Sequence, residues 1–213
     1  MPGPLRLSDH DMSPERGFLC AYNAADVTLP SDLAAPEQAA KDLPRTLLTG
    51  RVRKHLEALP VLDLKSFCAG ATDAQLRSAM VRYSFMVQAY VWGEATAPTR
   101  LPASLAVPMW ALAKRLGQQP LLPYSAYVLD NWDRFDRNGP IALDNVWMIQ
   151  NFLAGQDEAW FVLVHVAIEA QLLRGGALDR SIGLERKTGV AVLEALAYVA
   201  TAVTIAEIVA GPR

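Results

Sequence analysis

The sequence predicts an all-α protein, or one nearly so, and three observations predict it. Apolar residues recur at three- and four-residue steps through several stretches, the spacing that lines one face of a helix. Convincing alternating runs of the strand type are absent. Glycines and prolines fall between the periodic stretches, where they act as stops. With 213 residues, 52% of them apolar and 20% charged, the chain is long enough to bury a sizeable core.

The elements follow in order. Residues 1–35 are rich in Pro, Asp and Ser and show no sustained period, so they read as an arm or loop lead-in; His10, between Asp9 and Asp11, reads as solvated. From Pro36 to Leu59 a helical pattern appears, interrupted near Pro44 and Gly50, with Leu47, Leu48, Val52, His55 and Leu56 able to share a face. His55 follows Arg53 and Lys54 and reads as surface or boundary. Asp73 to Glu94 is a strong helix, with Thr72 or Asp73 as its cap and Gly93 as its stop. Pro102 introduces a helix over Leu105 to Leu116, which tolerates Pro108 early and ends at Gly117.

Tyr124 to Phe135 reads as a further helix, DRNGP at 136–140 as a turn, and Ile141 to Leu153 as either strand or short helix. Trp160 to Leu173 is an apolar helix with one histidine, His165. Phe161, His165, Ile168 and Leu172 fall on one face of it, and Gly175 and Gly176 close it. Ile182 to Ala210 is helical and, in its second half, apolar almost all round. Such a helix needs partners on every side.

Composition and motif spacing exclude several classes of function. A net charge of −2 without basic blocks offers nothing to nucleic acid or to anionic lipid. No apolar run reaches the roughly 18 residues of a membrane span, and the N-terminus lacks the plan of a signal peptide. Cys20 and Cys68 have no metal-type or redox spacing, so a cytoplasmic location is the expectation. Phosphate-cradling glycine loops, HExxH and the GxSxG elbow are all absent. The carboxylate pairs Asp130 and Asp133, and Asp157 and Glu158, read most simply as solvated helix ends and loops. What remains is one imidazole on an apolar face, either a satisfied core histidine or a group able to bond a ligand.

Three blocks carry a resemblance: QAYVWGE at 88–94, LPASLAVPMWALAKRLGQQPLLPYSAYVLDNW at 101–132 and WFVLVHVAIEA at 160–170. RGFL at 16–19 and LPVLDL at 59–64 agree in order and spacing. Together they resemble the indoleamine 2,3-dioxygenase family from about Ser13 to Ala210. The resemblance implies a small, mostly helical N-terminal domain, taken as residues 1–100, and the first part of a larger haem-holding helical domain, taken as 101–213.

It also implies a haem b cofactor and O₂ inserted across the indole C2–C3 bond of tryptophan or a related indole, giving N-formylkynurenine. By resemblance, Tyr124, Tyr127 and Val128 line the indole pocket, and Phe161 and Val162 contact the indole. His165 takes the distal position over the haem, with Tyr124 and Phe161 beside it. A distal imidazole can accept from the indole N–H or donate toward bound oxygen, according to its tautomer. The family's proximal iron histidine, its carboxylate-holding arginine and its active-site loop match nothing up to Arg213. The expectation is therefore a fold incomplete at its C-terminus, no iron ligand in this chain, and a haem pocket completed by a further segment or a second chain. A haem-dependent aromatic monooxygenase of the same fold and an inactive helical fragment are the alternatives.

Overall fold

A computed structural model describes residues 12–171. The end of the His165 helix from Leu172 to its stop at Gly175 and Gly176, the helix predicted over Ile182 to Ala210, and the arm residues before 12, His10 among them, lie outside the described residues.

The expected all-α class holds, with one small addition. Three short helices, α1 (Ala34–Lys41), α2 (Leu43–Leu48) and α3 (Val52–Glu57), occupy the stretch read as one interrupted helix. The breaks fall at Asp42 and at Thr49 to Arg51, where Gly50 takes φ +62°. Leu43, Val52 and Leu56 turn inward, while Leu48 and His55 lie on the surface. A fourth short helix, α4 (Lys65–Gly70), leads to α5 (Asp73–Trp92), the central helix.

At the start of α5, Thr72 and Gln75 form a reciprocal capping box, in which each side chain bonds the other's backbone N–H. The helix is buried almost all round from Ser78 to Val87. That explains why its apolar positions are not confined to one stripe. At Gly93 a Cβ would meet the Ala89 carbonyl at 2.4 Å and the Leu47 side chain at 2.5 Å. The glycine there serves close approach, and its φ of −75° is ordinary.

Helix α6 (Ala103–Leu116) packs along α5 and ends at Gly117 in the left-handed conformation, as the glycine stop predicts. The boundary expected at residue 100 falls in the loop between these two helices. Buried apolar side chains from both sides of that loop, from Leu19 to Ala170, join one core.

The helix expected over Tyr124 to Phe135 does not form as such. Ser125–Leu129 makes a π-type turn, in which the Asp130 N–H bonds the Ser125 carbonyl at 2.8 Å. The chain then straightens into β1 (Trp132–Arg134), which pairs antiparallel with β2 (Val146–Met148). This settles the ambiguous stretch 141–153 partly as strand.

The reason lies in tertiary bonds that periodicity does not register. Buried Asn131 accepts from the Gln150 N–H at 2.7 Å and donates to the Tyr127 and Gln150 carbonyls. Asn145 closes the intervening loop on Asp136 and Pro140. The last described helix, α7 (Gln156–Gln171), begins four residues before Trp160. Among the described residues, no helix is long and apolar enough to cross a membrane.

Candidate functional site

The π-type turn and α7 lie against each other, and their side chains build the site. Glu158 sets where α7 begins. Its carboxylate is 3% exposed and accepts from the backbone N–H groups of Phe152, Leu153 and Ala154 at 2.6, 2.9 and 3.1 Å. Those bonds hold its pKa down, but burial outweighs them and pushes it above the usual range. Glu158 is a structural anchor.

From that start, Val162, Val166 and Ala170 face the core and are fully buried. Trp160 and Ile168 stay 62% and 50% exposed on the other side. Phe161 and His165 lie at the margin between the two faces, half-buried. The face read from the spacing therefore exists, but it is a ledge at the edge of the core. From Trp160 to Ile168 the helix carries no charged side chain.

His165 is held on three sides. Its Nδ1 lies 2.6 Å from the Phe161 carbonyl oxygen, one turn back on the same helix. A carbonyl can only accept, so Nδ1 carries the proton and, in the neutral ring, Nε2 is the bare acceptor. The Phe161 ring is 4.6 Å away between centroids, and the Tyr124 ring meets the imidazole edge-on at 6.2 Å and 77°.

Tyr124 is buried, and its hydroxyl donates to Glu169 at 2.8 Å. Tyr127 lies 6.1 Å from Phe161 and 5.6 Å from Phe85, which stacks on Phe152 at 4.4 Å. Burial raises the pKa of Tyr124 and of Tyr127 beyond the ordinary phenol range, and the charges of Glu169 and Glu158 add to it respectively. Both phenols remain protonated.

Of the residues singled out from the sequence, Tyr124, Tyr127, Phe161 and His165 come together as an aromatic group around one imidazole. Val128 and Val162 are each fully buried in the core and belong to the packing behind it. Sequence reasoning passed over Glu169, although a lone carboxylate four residues after His165 in an apolar helix was a visible signal.

It also misjudged Asp130 and Asp133. Both are buried, at 5% and 3% exposure, not solvated. Asp130 accepts from Tyr22 at 3.1 Å and pairs with Arg77 at 3.5 Å, and Asp133 accepts from the Ala25 N–H at 2.9 Å. The Tyr22 and Ala25 bonds fasten the N-terminal arm to the end of the π-type turn and to β1. The pairing of Asp157 with Glu158 divides likewise, Asp157 exposed and Glu158 buried.

The arm reaches α7 as well. Gly17 takes φ +60°, and a Cβ there would stand 1.9 Å from the Glu169 carbonyl oxygen. Cys20 and Cys68 are both unpaired thiols, and burial pushes the Cys20 thiol up to about 12. Burial raises the Cys68 thiol as well, and neither has the lowered pKa that activates a cysteine. Among the described residues, no three His, Cys, Asp or Glu side chains converge to hold a metal ion.

Comparison with known proteins finds one family. A family model described as indoleamine 2,3-dioxygenase matches residues 6–201. Indoleamine 2,3-dioxygenase 1 of Mus musculus is 30% identical over 165 residues, which cover 76% of this chain and 39% of the mouse protein. Indoleamine 2,3-dioxygenase 2 of Homo sapiens is 30% identical over 174 residues, 81% of this chain and 42% of the human one. The Saccharomyces cerevisiae indoleamine 2,3-dioxygenase is 34% identical over 175 residues, 76% of this chain and 37% of the yeast one. The chain spans about two fifths of the length of these relatives.

Proposed function

This chain belongs to the indoleamine 2,3-dioxygenase family, and on that premise we propose that its aromatic ledge forms the distal wall of a haem site that oxidises tryptophan or a related indole. The observation that carries the proposal is the 2.6 Å approach of His165 Nδ1 to the Phe161 carbonyl oxygen, which assigns the tautomer. With Nδ1 bonded to the Phe161 carbonyl, Nε2 of the neutral ring is an acceptor. The indole N–H is a donor without an acceptor, so the two are complementary.

The residues present fit a haem face. Between Trp160 and Ile168 the exposed strip of α7 is apolar and uncharged, suited to a flat, largely apolar macrocycle. Tyr124, Phe161 and His165 would stand on its distal side. When bound, haem supplies the iron at which O₂ is activated for insertion across the indole C2–C3 bond.

The chain's own residues do the rest. Phe161 and Tyr127 form adjoining aromatic walls that orient an indole ring and exclude water. Tyr124 braces the imidazole from the edge. His165 fixes the orientation of the indole nitrogen and leaves C2 and C3 free.

The test is reconstitution of the chain with haem, followed by incubation with L-tryptophan, a reductant and ¹⁸O₂. N-formylkynurenine carrying two labelled oxygens supports dioxygenation; a product with one labelled oxygen assigns the site to monooxygenation. A second reading rests on the open strip and on the share of the relatives that the chain covers. In it, the chain supplies one wall, and a further segment or a second chain supplies the opposite wall and the iron ligand. Turnover that appears only when such a segment is added in trans selects this reading.

A further inference from the structure

Helix α7 buries two glutamates, and the backbone explains only the first. Glu158 accepts from three amides at the helix start. Glu169, equally buried at 3% exposure, accepts from the Tyr124 hydroxyl one turn beyond His165. Burying a carboxylate costs several kcal/mol, which its hydrogen bonds must offset, and at Glu169 the hydrogen bond is that of Tyr124. The Gly17 turn of the arm packs directly on the Glu169 carbonyl.

We propose that Glu169 is a positioning residue of the indole site: by holding the Tyr124 hydroxyl, it sets that ring edge-on against His165 and makes Tyr124 a wall in place of a hydrogen-bond donor to ligand. The inference rests on the reading of His165 as the indole acceptor. A phenol has one proton to donate, and at 2.8 Å that proton is committed to Glu169. What Tyr124 shows the imidazole is therefore ring alone, at 6.2 Å and 77°.

Phe161 constrains His165 from within α7, by ring contact and by its carbonyl. Tyr124 is the constraint from outside that helix, and its orientation is set through Glu169. A free hydroxyl would add a second donor to the aromatic group around Nε2, and the Glu169 bond occupies it.

The test uses isotopically labelled full chain and the nuclear Overhauser contact between the ring protons of Tyr124 and His165. Glu169→Gln, which keeps an acceptor oxygen, retains the contact, and Glu169→Leu loses it while far-UV circular dichroism stays native. In the haem-loaded chain the dissociation constant for L-tryptophan then rises roughly tenfold for Glu169→Leu and less than about twofold for Glu169→Gln, the size of one lost hydrogen bond.

An undiminished ring contact in folded Glu169→Leu overturns the proposal. If that variant does not fold, Tyr124→Phe carries the test, because it removes the hydroxyl and keeps the ring. A displaced ring at 124 supports the proposal, and an unmoved one overturns it. The ring contact is read without haem or indole. Failure of the indole reading shows separately, as an unaltered haem-loaded chain that gives no response to L-tryptophan.

Discussion

His165 and Phe161 share a hydrogen bond inside α7, 2.6 Å from imidazole Nδ1 to the carbonyl oxygen four residues earlier. Because the bond lies within one helix, the ring's tautomer is set locally and does not depend on a ligand. Nitrogen-15 spectra of the chain will show a protonated Nδ1 and a bare Nε2 in the neutral ring. His165→Ala will lower stability by no more than about 1 kcal/mol, since the ring is half-exposed. In haem-loaded protein it will weaken the spectral response to L-tryptophan without abolishing haem binding. Loss of all haem would instead make His165 an iron ligand.

Gly17→Ala is expected to be among the most damaging small substitutions in the chain. It places a Cβ in a left-handed conformation and 1.9 Å from the Glu169 carbonyl, neither of which the backbone can relieve. A loss of more than about 3 kcal/mol in urea unfolding is expected. Gly50→Ala is the control. It shares the positive φ but has open space around it, so it costs about 1 kcal/mol.

Glu158→Ala strips the acceptor from three amides at the foot of α7. Buried donors left without partners cost about 1–3 kcal/mol each, and relaxation with entry of water recovers part of the sum. A net loss of roughly 3 kcal/mol is expected, with Glu158→Gln intermediate because it keeps one acceptor oxygen. Hydrogen exchange at residues 152–154 should accelerate in both variants, more in the alanine one.

Asp130 gives a pH signature. Burial pushes its carboxyl up to about 6, and the pull of Arg77 and Tyr22 does not offset it. Between about 4 and 6 the folded chain holds a proton that the unfolded chain has released. The Asp130 contribution to stability is therefore present at pH 4 and lost as pH rises through 6. Glu158 and Glu169, raised by burial, act in the same direction. Relative to Asp130→Asn, the unaltered chain should lose stability between pH 4 and 6.5 and run parallel above it. A constant difference across that range in paired denaturation curves would contradict the assignment.

Periodicity reveals elements that make their own bonds, and here it located α5, α6 and α7 closely. Thr72 with Gln75, and Gly117, mark their ends within a few residues of the sequence and are legible for that reason. The stretch from Tyr124 to Met148 is different. Its course is set by Asn131 bonding Gln150, and by Asp130 and Asp133 receiving bonds from Tyr22 and Ala25 of the distant arm. No local window contains both members of such pairs.

The site divides along the same line. His165 and Phe161, on one helix, could be placed by spacing, and the words around Tyr124 and Tyr127 pointed to those residues by resemblance. The Tyr124–Glu169 bond joins two elements and appears only in the fold.

The seat of Gly17 on Glu169 also has a consequence in time. The two residues stand near opposite ends of the described chain, so a ribosome releases the arm long before the helix that receives it. Contacts between residues so distant in sequence form late, after loop closure has been paid for by the intervening core. Until α7 emerges, Gly17 lacks the Glu169 backbone it packs on, and Tyr124 has no carboxylate to bond. Until then, nascent chains lack the α7 share of the core as well as the site, and the aromatic ledge forms only once α7 is in place.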